Sequence, residues 1–266
     1  MVMFDVIMVV YNRYIKNIAG LSSCIQSLEV SSVIVCDNSE DTSIVANNAS
    51  AALEYENKLK YVPMHGNKGL AKAYNRALEE CTAQFVVVFD DDTPVSGDYF
   101  TKVQHHCEDG AADIYLPIVY SKYIILSPCI KKGITFKAVG SIGELHSTQS
   151  ISAINSGMVV RRSFYKYCRY DERLFVDGVD HRFMDEARSY KARIEIMADV
   201  SLTQQYSQEE FNERKQLVRL RIKARDYRTY YSDTIARRMY CALMILHWKM
   251  QLARKYRRPS LLWVNV

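Results

Sequence analysis

The chain has 266 residues, of which 48% are hydrophobic and 24% are charged, so it is long enough for one large domain with an added segment and too apolar to be disordered. Its seven cysteines form no C-x-x-C pair and no cluster with histidines, which argues against a zinc module or disulfide framework and predicts reduced thiols. The opening apolar run lacks a basic start and a cleavage site, so we expect a buried strand there rather than a signal peptide. No run of about 18 apolar residues predicts a membrane-spanning helix.

Charge divides the chain into two parts. Residues 211–266 carry 14 Lys and Arg against 3 Asp and Glu, whereas residues 1–210 carry 21 against 27. A basic tail on an acidic body favours an anionic partner, such as a membrane surface, a nucleic acid or another subunit. A solvated basic helix face is the alternative.

The first 90 residues alternate predicted strands with predicted helices. Short apolar runs predict buried strands at residues 3–10, 32–36, 59–63 and 85–89. Apolar residues at helical spacing predict the intervening helices at residues 18–28, within 41–57 and at 70–78. This alternation is typical of an α/β fold with a parallel sheet.

The pattern changes twice in the rest of the chain. Short β-rich runs at residues 113–120, 134–139 and 157–160 alternate with loops, and from residue 208 the pattern becomes helical and basic. We therefore expect a main domain over residues 1–207 and a basic amphipathic helical extension over residues 208–266.

Three aspartates, Asp90, Asp91 and Asp92, directly follow the most apolar predicted strand. Ligands of open α/β sheets bind at the carboxyl ends of strands. Crowded carboxylates repel each other unless a cation lies among them, and Mg²⁺ or Mn²⁺ prefers one or two carboxylates together with phosphate oxygens. The triplet therefore predicts a divalent-cation and diphosphate site, with a polar strand-capping turn as the alternative.

Four motifs in a fixed order carry a family resemblance: Val9-Val10-Tyr11-Asn12, Asp37-Asn38-Ser39, Asn67-x-Gly69 with Asn75, and the aspartate triplet. With these motifs the chain resembles the family 2 glycosyltransferases, which have the GT-A fold, over residues 3–205. The segments FDDDTPV and RLFVDGVDHRF are most similar to rhamnosyltransferase-type members of bacterial polysaccharide pathways. The resemblance implies a Rossmann-like, mostly parallel sheet and a nucleotide-diphosphate sugar as donor.

The resemblance also implies roles for single residues. Tyr11 and Asn12 would line the nucleotide pocket, and Asp37 would hydrogen-bond the base. Asn67 and Gly69 would lie under the nucleotide-sugar, where a glycine lets the backbone approach a ligand closely. Ordinary loop and helix-cap roles are the alternative for Asn67, Gly69 and Asn75. The other donor-side residues would be Asp90, Asp91, Ser156 and Gly157, with Asp90 and Asp92 as ligands of Mg²⁺ or Mn²⁺.

A second acidic segment supplies the candidate base. Transfer with inversion requires a group that removes the proton of the acceptor hydroxyl, and a carboxylate in a partly desolvated cleft can do this. The resemblance places this base at Asp180, with Asp177 as the second candidate. The alternative is that Asp180 only caps the helix that follows.

The chain departs from the family pattern at two places. Relatives carry Glu and then Arg after the base, whereas this chain has Arg182 and Glu186, so we expect the same ion pair with exchanged charges. Many relatives also have a metal-binding His after the next strand, where this chain offers Gln204 and Gln205. A glutamine oxygen is a poorer ligand for Mn²⁺ than His, so a metal is expected but its ligand set is open.

The basic extension interleaves Arg and Lys with Tyr, Leu, Met and Trp over residues 211–258. This composition is typical of a helix in a membrane interface, which predicts contact with an anionic membrane surface. Packing on the main domain is the alternative, and it must account for some of Leu243, Met244 and Leu246. We expect both, with one face of the extension packed on the main domain and the other in contact with anionic lipid. We expect no nucleic-acid partner, because the basic residues accompany aliphatic bulk and no nucleic-acid motif is present.

The resemblance, together with the basic extension, implies an inverting glycosyltransferase that moves a sugar, with dTDP-rhamnose as the first candidate donor, onto a lipid-linked glycan in O-antigen or capsule synthesis. It would be cytoplasmic and peripheral at the inner face of the cell membrane. A galactofuranosyl- or other hexosyltransferase, a nucleotidyltransferase and a non-catalytic scaffold remain alternatives. A nucleotidyltransferase should have a Gly-rich basic phosphate loop after the first strand, where this chain has Tyr11, Asn12 and Arg13.

Overall fold

A central sheet of eight strands organises the fold. The structure is a computed structural model that describes residues 2–55, 57–145, 150–204 and 212–266. The strands within these ranges are β1 (Phe4–Val10), β2 (Val30–Asp37), β3 (Leu59–Pro63), β4 (Phe85–Asp90), β5 (Ile114–Ser121), β6 (Ile124–Ser127), β7 (Cys129–Lys132), β8 (Thr135–Lys137), β9 (Ile151–Ser152), β10 (Met158–Arg161) and β11 (Ile194–Thr203).

The topology of the sheet confirms the predicted α/β class. The strand order is β11-β5-β10-β4-β1-β2-β3, with β6 beside β5, and β8-β7-β9 form a small separate sheet. Strands β1, β2, β3 and β4 pair in parallel, whereas β10 runs antiparallel to β4 and β5. Val10 pairs with Asp37, and Val9 pairs with Asp90. The carboxyl ends of β1, β2 and β4 therefore lie side by side.

The helices of the described residues surround this sheet. They are α1 (Leu21–Gln26), α2 (Thr42–Ala52), α3 (Leu70–Leu78), α4 (Tyr99–Asp109), α5 (Val179–Ser189), α6 (Glu213–Tyr230) and α7 (Ile235–Tyr256). Asp41 caps α2 by accepting the N–H groups of Ser43 and Ile44. The predicted strands and the α3 stripe are confirmed, because the apolar positions of α3 face the core.

The first predicted helix is shorter than its apolar spacing suggested. Spacing predicted a helix over residues 18–28, but α1 spans only Leu21–Gln26. The chain leaves the helix at Ser27 in an extended conformation, so Leu28 lies outside it and is 81% exposed. The early start of β2 at Val30 leaves no room for another helical turn.

Each face of the sheet has its own core, because successive side chains of a strand point to opposite faces. Ile7 and Val9 of β1 pack with α3 and α5, whereas Val6 and Met8 pack with the first residues of α1 and with α4. The two helices of the extension pack into the first of these cores. Their buried residues there are Ala224, Tyr230, Tyr231, Cys241 and Ile245.

The predicted boundary at residues 207 and 208 lies outside the described residues. Both α6 and α7 nevertheless share a core with the sheet. None of the helices in the described parts of the chain is both long and apolar enough to cross a bilayer.

Candidate active site

Asp90 lies at the carboxyl end of β4, in the middle of the predicted site. Its Oδ2 accepts hydrogen bonds from the hydroxyl of Ser156 and from Nε2 of Gln204, the latter at 3.0 Å. Burial raises the pKa of Asp90 to about 6; the Ser156 bond opposes this, and the charges of Asp92, Asp180 and Asp91 add to it. Asp180 is therefore close enough to Asp90 for its charge to be felt there, although 90 residues separate the two in sequence.

Asp91 points towards a different partner. Its carboxylate lies 3.2 Å from Nε of Arg13, and its backbone oxygen accepts a bond from Nη1 of the same residue. Burial raises the pKa of Asp91, and the charge of Arg13 opposes the rise. Arg13 thus neutralises the middle aspartate of the triplet, which leaves Asp90 and Asp92 as the pair without a described ion-pair partner.

Asp37 at the end of β2 is fully buried. One carboxylate oxygen accepts the N–H of Ser39 at 2.8 Å, and the other accepts Asn48 at 2.8 Å and the Tyr61 hydroxyl at 2.7 Å. These bonds fix the turn after β2. A hydrogen bond from the base of a nucleotide to Asp37 would have to replace or supplement one of these bonds.

The turn after β1 is tied to the turn after β2. Asn12 has a φ of 47°, donates its N–H to the Ser39 hydroxyl and accepts the N–H groups of Glu40 and Asp41 through its side chain. Tyr11 is 48% exposed and donates its hydroxyl to Glu40 at 2.8 Å. The hydrogen bond to Glu40 is the main reason that the pKa of Tyr11 is raised. An open aromatic ring therefore borders the turn.

A glycine is required at position 69 because the backbone there packs against Phe175, in the segment that precedes the candidate base Asp180. Gly69 has a φ of +87°, and an added Cβ would lie 2.6 Å from Cδ2 and 2.7 Å from the backbone oxygen of Phe175. The sequence prediction explained this glycine by close approach to a ligand, and the structure supplies a different reason. Asn67 accepts the N–H of Gly69, and Asn75 bonds the backbone of Tyr170, so both asparagines make contacts of the kind that the loop and helix-cap alternative expects. The donor-side role of Asn67 stays a prediction.

The Asn155-Ser156-Gly157 turn lies beneath the aspartates. Ser156 donates to Asp90, and Asn155 accepts the hydroxyl of Tyr170 at 3.3 Å. A Cβ on Gly157 would lie 2.4 Å from Cδ1 of Leu202, so this glycine serves packing between β10 and β11. Ser156 is the member of the turn that reaches the predicted site.

Asp180 lies in the first turn of α5, where it accepts the N–H of His181 at 2.7 Å. The N-cap of α5 is Gly178, with a φ of 74° and no side-chain bond. The alternative in which Asp180 is the N-cap is therefore wrong. The expected pair between Arg182 and Glu186 is present, at 3.1 Å.

Asp177, the second candidate base, is bound to the extension. Arg219 of α6 pairs with both of its carboxylate oxygens, one of them at 2.8 Å. A carboxylate held in this way is poorly placed to accept a proton from an acceptor. Asp180 is therefore the stronger candidate.

A cavity of about 1810 Å³ borders Tyr11 and Asn67 of the donor side, and Asp90, Asp92 and Asp180 are not among the described residues that line it. Tyr11 and Asn67 line one side of it, and α6 and α7 line the other with Trp248 and several cations. These cations are Arg214, Lys215, Arg219, Lys223, Arg254 and Lys255. The positive lining suits a substrate that carries phosphate groups.

Sequence comparison decides the family. The family model of glycosyl transferase family 2 matches residues 5–158, which is more than half of the chain. The chain belongs to glycosyl transferase family 2. It is a glycosyltransferase, as the four motifs predicted. No curated protein matches it significantly in sequence.

Solved structures agree with this glycosyltransferase in fold. Residues 1–349 of S. aureus TarS match with a TM-score of 0.55 and 18% identity, over 97% of this chain and 74% of that one. The same fragment in complex with UDP-GlcNAc gives a TM-score of 0.55, 15% identity and the same coverage. GalNAc-T7 with UDP, GalNAc and Mn²⁺ matches with a TM-score of 0.64 and 11% identity, over 78% of this chain and 44% of that one. At these identities the likeness establishes the GT-A fold.

The side chains near Asp90 fit a divalent cation whose remaining ligands are the phosphate oxygens of a bound diphosphate. No group of three or more His, Cys, Asp and Glu side chains in the described ranges forms a closed metal cage. Mg²⁺ needs only one or two carboxylates when phosphate oxygens complete its shell. Asp90 and Asp92 can supply these, and the charge of Asp92 adds to the rise that burial causes in the pKa of Asp90. Gln204 contacts Asp90, whereas Gln205 lies outside the described residues.

The sequence analysis missed the contacts between the extension and residues 175–177, which precede the candidate base Asp180. Besides Arg219, the carboxylate of Asp226 in α6 binds the backbone of residues 175–177. An acidic residue inside a basic segment was the only signal, and it does not indicate a partner some 50 residues away.

Proposed function

We propose that this glycosyltransferase transfers a sugar with inversion from a nucleotide-diphosphate donor, with Asp180 as the base. The supporting observation is that the charge of Asp180 is among the causes that raise the pKa of Asp90, after burial and the charge of Asp92. Because charge interactions weaken with distance, this favours a position of Asp180 near the carboxyl end of β4. Transfer between two bound substrates requires a base near the donor site.

In the proposed reaction, the Asp180 carboxylate accepts the proton of an acceptor hydroxyl. A lone pair of that oxygen forms the new bond to the anomeric carbon, and the electron pair of the old carbon–oxygen bond leaves with the nucleoside diphosphate. Mg²⁺ or Mn²⁺ held by Asp90 and Asp92 would stabilise negative charge on the diphosphate. Tyr11, Asn12, Asn67 and Ser156 would border the donor.

The identity of the donor sugar is a separate proposal that rests on two sequence segments. Rhamnose from dTDP-rhamnose is the first candidate because of the FDDDTPV and RLFVDGVDHRF segments, and galactofuranose or another hexose is the alternative. TarS has been crystallised with UDP-GlcNAc and GalNAc-T7 with UDP, so uridine nucleotides belong in any test. The match to a glycosyl transferase family favours glycosyl transfer over nucleotidyl transfer.

A panel of nucleotide-sugars tests the donor and the cation together. The correct donor at 100 times its Kd should add about 2.7 kcal/mol to the free energy of unfolding, and Mn²⁺ should increase the effect. Melting curves with and without Mn²⁺ measure this. If no nucleotide-sugar stabilises the protein, the proposed donor class is wrong.

Replacing the base tests the mechanism. Asp180→Asn should retain donor-induced stabilisation and lower kcat by about 10²–10⁴-fold, the usual contribution of a general base. Asp98→Asn, which breaks an exposed pair with Lys102 on α4, is the matched control and should retain full kcat. Full turnover of Asp180→Asn would show that another group removes the proton.

We further propose that α7 binds an anionic membrane surface at which a lipid-linked glycan acceptor is held, as in cell-surface polysaccharide synthesis. One face of α7 is apolar and 47–76% exposed, and its residues are Ile235, Met239, Leu243, Leu246 and Met250. Leu243 and Leu246 therefore do not pack on the main domain, whereas Met244 does. Basic residues beside an exposed apolar stripe suit phospholipid headgroups above acyl chains.

A small cavity between α6 and α7 adds to this surface. It has a volume of about 450 Å³, and its lining includes Cys241, Ala242 and Ile245. Arg228, Arg238 and Lys249 also line it. Apolar residues beside three cations suit a phosphate-bearing lipid.

Vesicle flotation tests the membrane proposal. The protein should float with vesicles that contain phosphatidylglycerol and should stay behind with phosphatidylcholine alone. Met239→Ser combined with Leu243→Ser should abolish flotation without changing the melting temperature. Tyr123→Ser, at a fully exposed aromatic residue elsewhere, is the control. Equal flotation of the double variant would assign binding to another surface.

A further inference from the structure

A carboxylate from the C-terminal extension binds the backbone that leads into the candidate base. Asp226 of α6 is fully buried. Its Oδ1 accepts the N–H of Phe175 at 3.1 Å, and its Oδ2 accepts the N–H groups of Val176 at 2.8 Å and Asp177 at 3.0 Å. One side chain therefore satisfies three successive backbone donors.

These bonds define the conformation of a short segment, residues 175–177, which we call the base loop. A buried carboxylate is costly without partners, and the three N–H groups of the base loop supply most of those of Asp226. Gly178 follows immediately in the left-handed region and starts α5, and Asp180 lies in the first turn of that helix. The position of the base loop therefore decides where Asp180 lies.

The base loop also contacts the donor side. The backbone oxygen of Phe175 accepts the N–H of Leu70 at 2.6 Å, next to the tightly packed Gly69. Arg219 adds a second link from α6 to the base loop through Asp177. The base loop thus lies between the extension and the start of α3.

We propose that Asp226 is a positioning residue for glycosyl transfer, which holds the base loop so that Asp180 faces the acceptor hydroxyl. Being fully buried, Asp226 acts through the base loop and not by touching substrate. The inference rests on the proposed role of Asp180. It gives the extension a part in the active site that is separate from membrane binding.

Hydrogen exchange tests the hold on the base loop without any activity. Asp226→Asn keeps the size of the side chain but replaces one acceptor by a donor. The amide protons of Phe175, Val176 and Asp177 should then exchange about tenfold faster or more, which corresponds to about 1.4 kcal/mol. Asp233→Asn breaks a pair with Arg237 on the same extension and should leave these amides unchanged. Unchanged exchange in Asp226→Asn would overturn the proposal.

Kinetics test whether Asp226 acts through Asp180. Asp226→Asn should lower kcat by about 10²-fold, as expected for a misplaced catalytic group, and leave the donor Kd unchanged. Rates are normalised to nucleotide-binding sites, so loss of folded protein alone gives an unchanged kcat, which contradicts the proposal. In an Asp180→Asn background the Asp226→Asn change should cause no further loss. If the two losses multiply, Asp226 does not act through Asp180.

The outcomes separate this inference from the proposed function. Full turnover of Asp180→Asn overturns the base assignment. Full turnover of Asp226→Asn beside an inactive Asp180→Asn overturns the positioning role alone.

A milder variant covers the case in which Asp226→Asn does not fold. Arg225 is 57% exposed at its side chain, lies 3.3 Å from Oδ1 of Asp226 and stacks over the ring of Phe175. Arg225→Gln should fold, accelerate exchange of the Phe175 amide and lower kcat in the same direction as Asp226→Asn. If it changes neither, the proposal fails.

Discussion

The donor side and the base side of the site are held by different kinds of contact. On the donor side, Asn12 and Asp37 bond turns at the ends of neighbouring strands. On the base side, the base loop is held by Asp226 and Arg219 from a helix near the end of the chain. The half of the site that carries the recognised motifs is therefore held by contacts between adjacent strand ends. The base loop before Asp180 depends instead on α6, a helix without a recognised motif.

This difference affects how the extension can be studied. Deleting residues 212–266 would remove Asp226 and Arg219 together with the exposed face of α7. Loss of activity on truncation would then report on the base loop as well as on membrane binding. Surface substitutions on α7 separate the two.

The largest predicted effect lies at the contact between the two sides. Gly69→Ala should destabilise the protein by about 2–4 kcal/mol, because it combines strain at positive φ with overpacking against Phe175. Urea unfolding measures the loss. Gly66→Ala has a φ of +103° but no atom within 4 Å of the added Cβ, so it should show the smaller cost of backbone strain alone. Equal losses would mean that the contact with Phe175 contributes nothing.

A smaller effect is expected within the donor side. Tyr61→Phe removes one of the donors to the buried Asp37 and should cost about 1–2 kcal/mol. Thermal and urea melts measure this, and Tyr123→Phe at a fully exposed tyrosine should cost nothing. If Asp37 also binds the base of the nucleotide, Tyr61→Phe should change the affinity for nucleotides as well. Unchanged stability would contradict the account of the Asp37 turn.

The smallest effect is expected at a contact between α4 and β11 that contains no site residue. His106 lies 2.7 Å from both Glu195 and Asp199. Burial lowers the pKa of His106, but the hydrogen bonds to Asp199 and Glu195 outweigh it, so the pKa is raised overall. A raised pKa in the folded state means that protonated His106 contributes stability below pH 6.5, and that this is lost as pH rises through the folded-state pKa.

His106→Gln should therefore cost more stability at pH 6 than at pH 9, by less than about 1 kcal/mol because the pair is partly exposed. Urea unfolding at the two pH values measures the difference. A cost that is equal at both pH values would contradict the charged pairing.

Much of the donor side could be predicted from the sequence because its signals are local. The apolar run before Asp90 predicts β4, and the stripe of α3 predicts the buried face of that helix. The prediction was less successful for residues whose contacts are made with distant parts of the chain. Gly69 packs against Phe175, and Asp177 pairs with Arg219, so neither environment is visible in the neighbouring sequence.

The sequence by itself determined the α/β class, the family, the strand ends that carry Asp37 and Asp90, and the basic character of the extension. Only the tertiary structure decided that Asp177 pairs with Arg219, and that Asp226 binds the base loop. The physical reason is that periodicity and turn chemistry depend on neighbours along the chain, whereas charge coupling and satisfaction of buried N–H groups depend on which distant segments pack together.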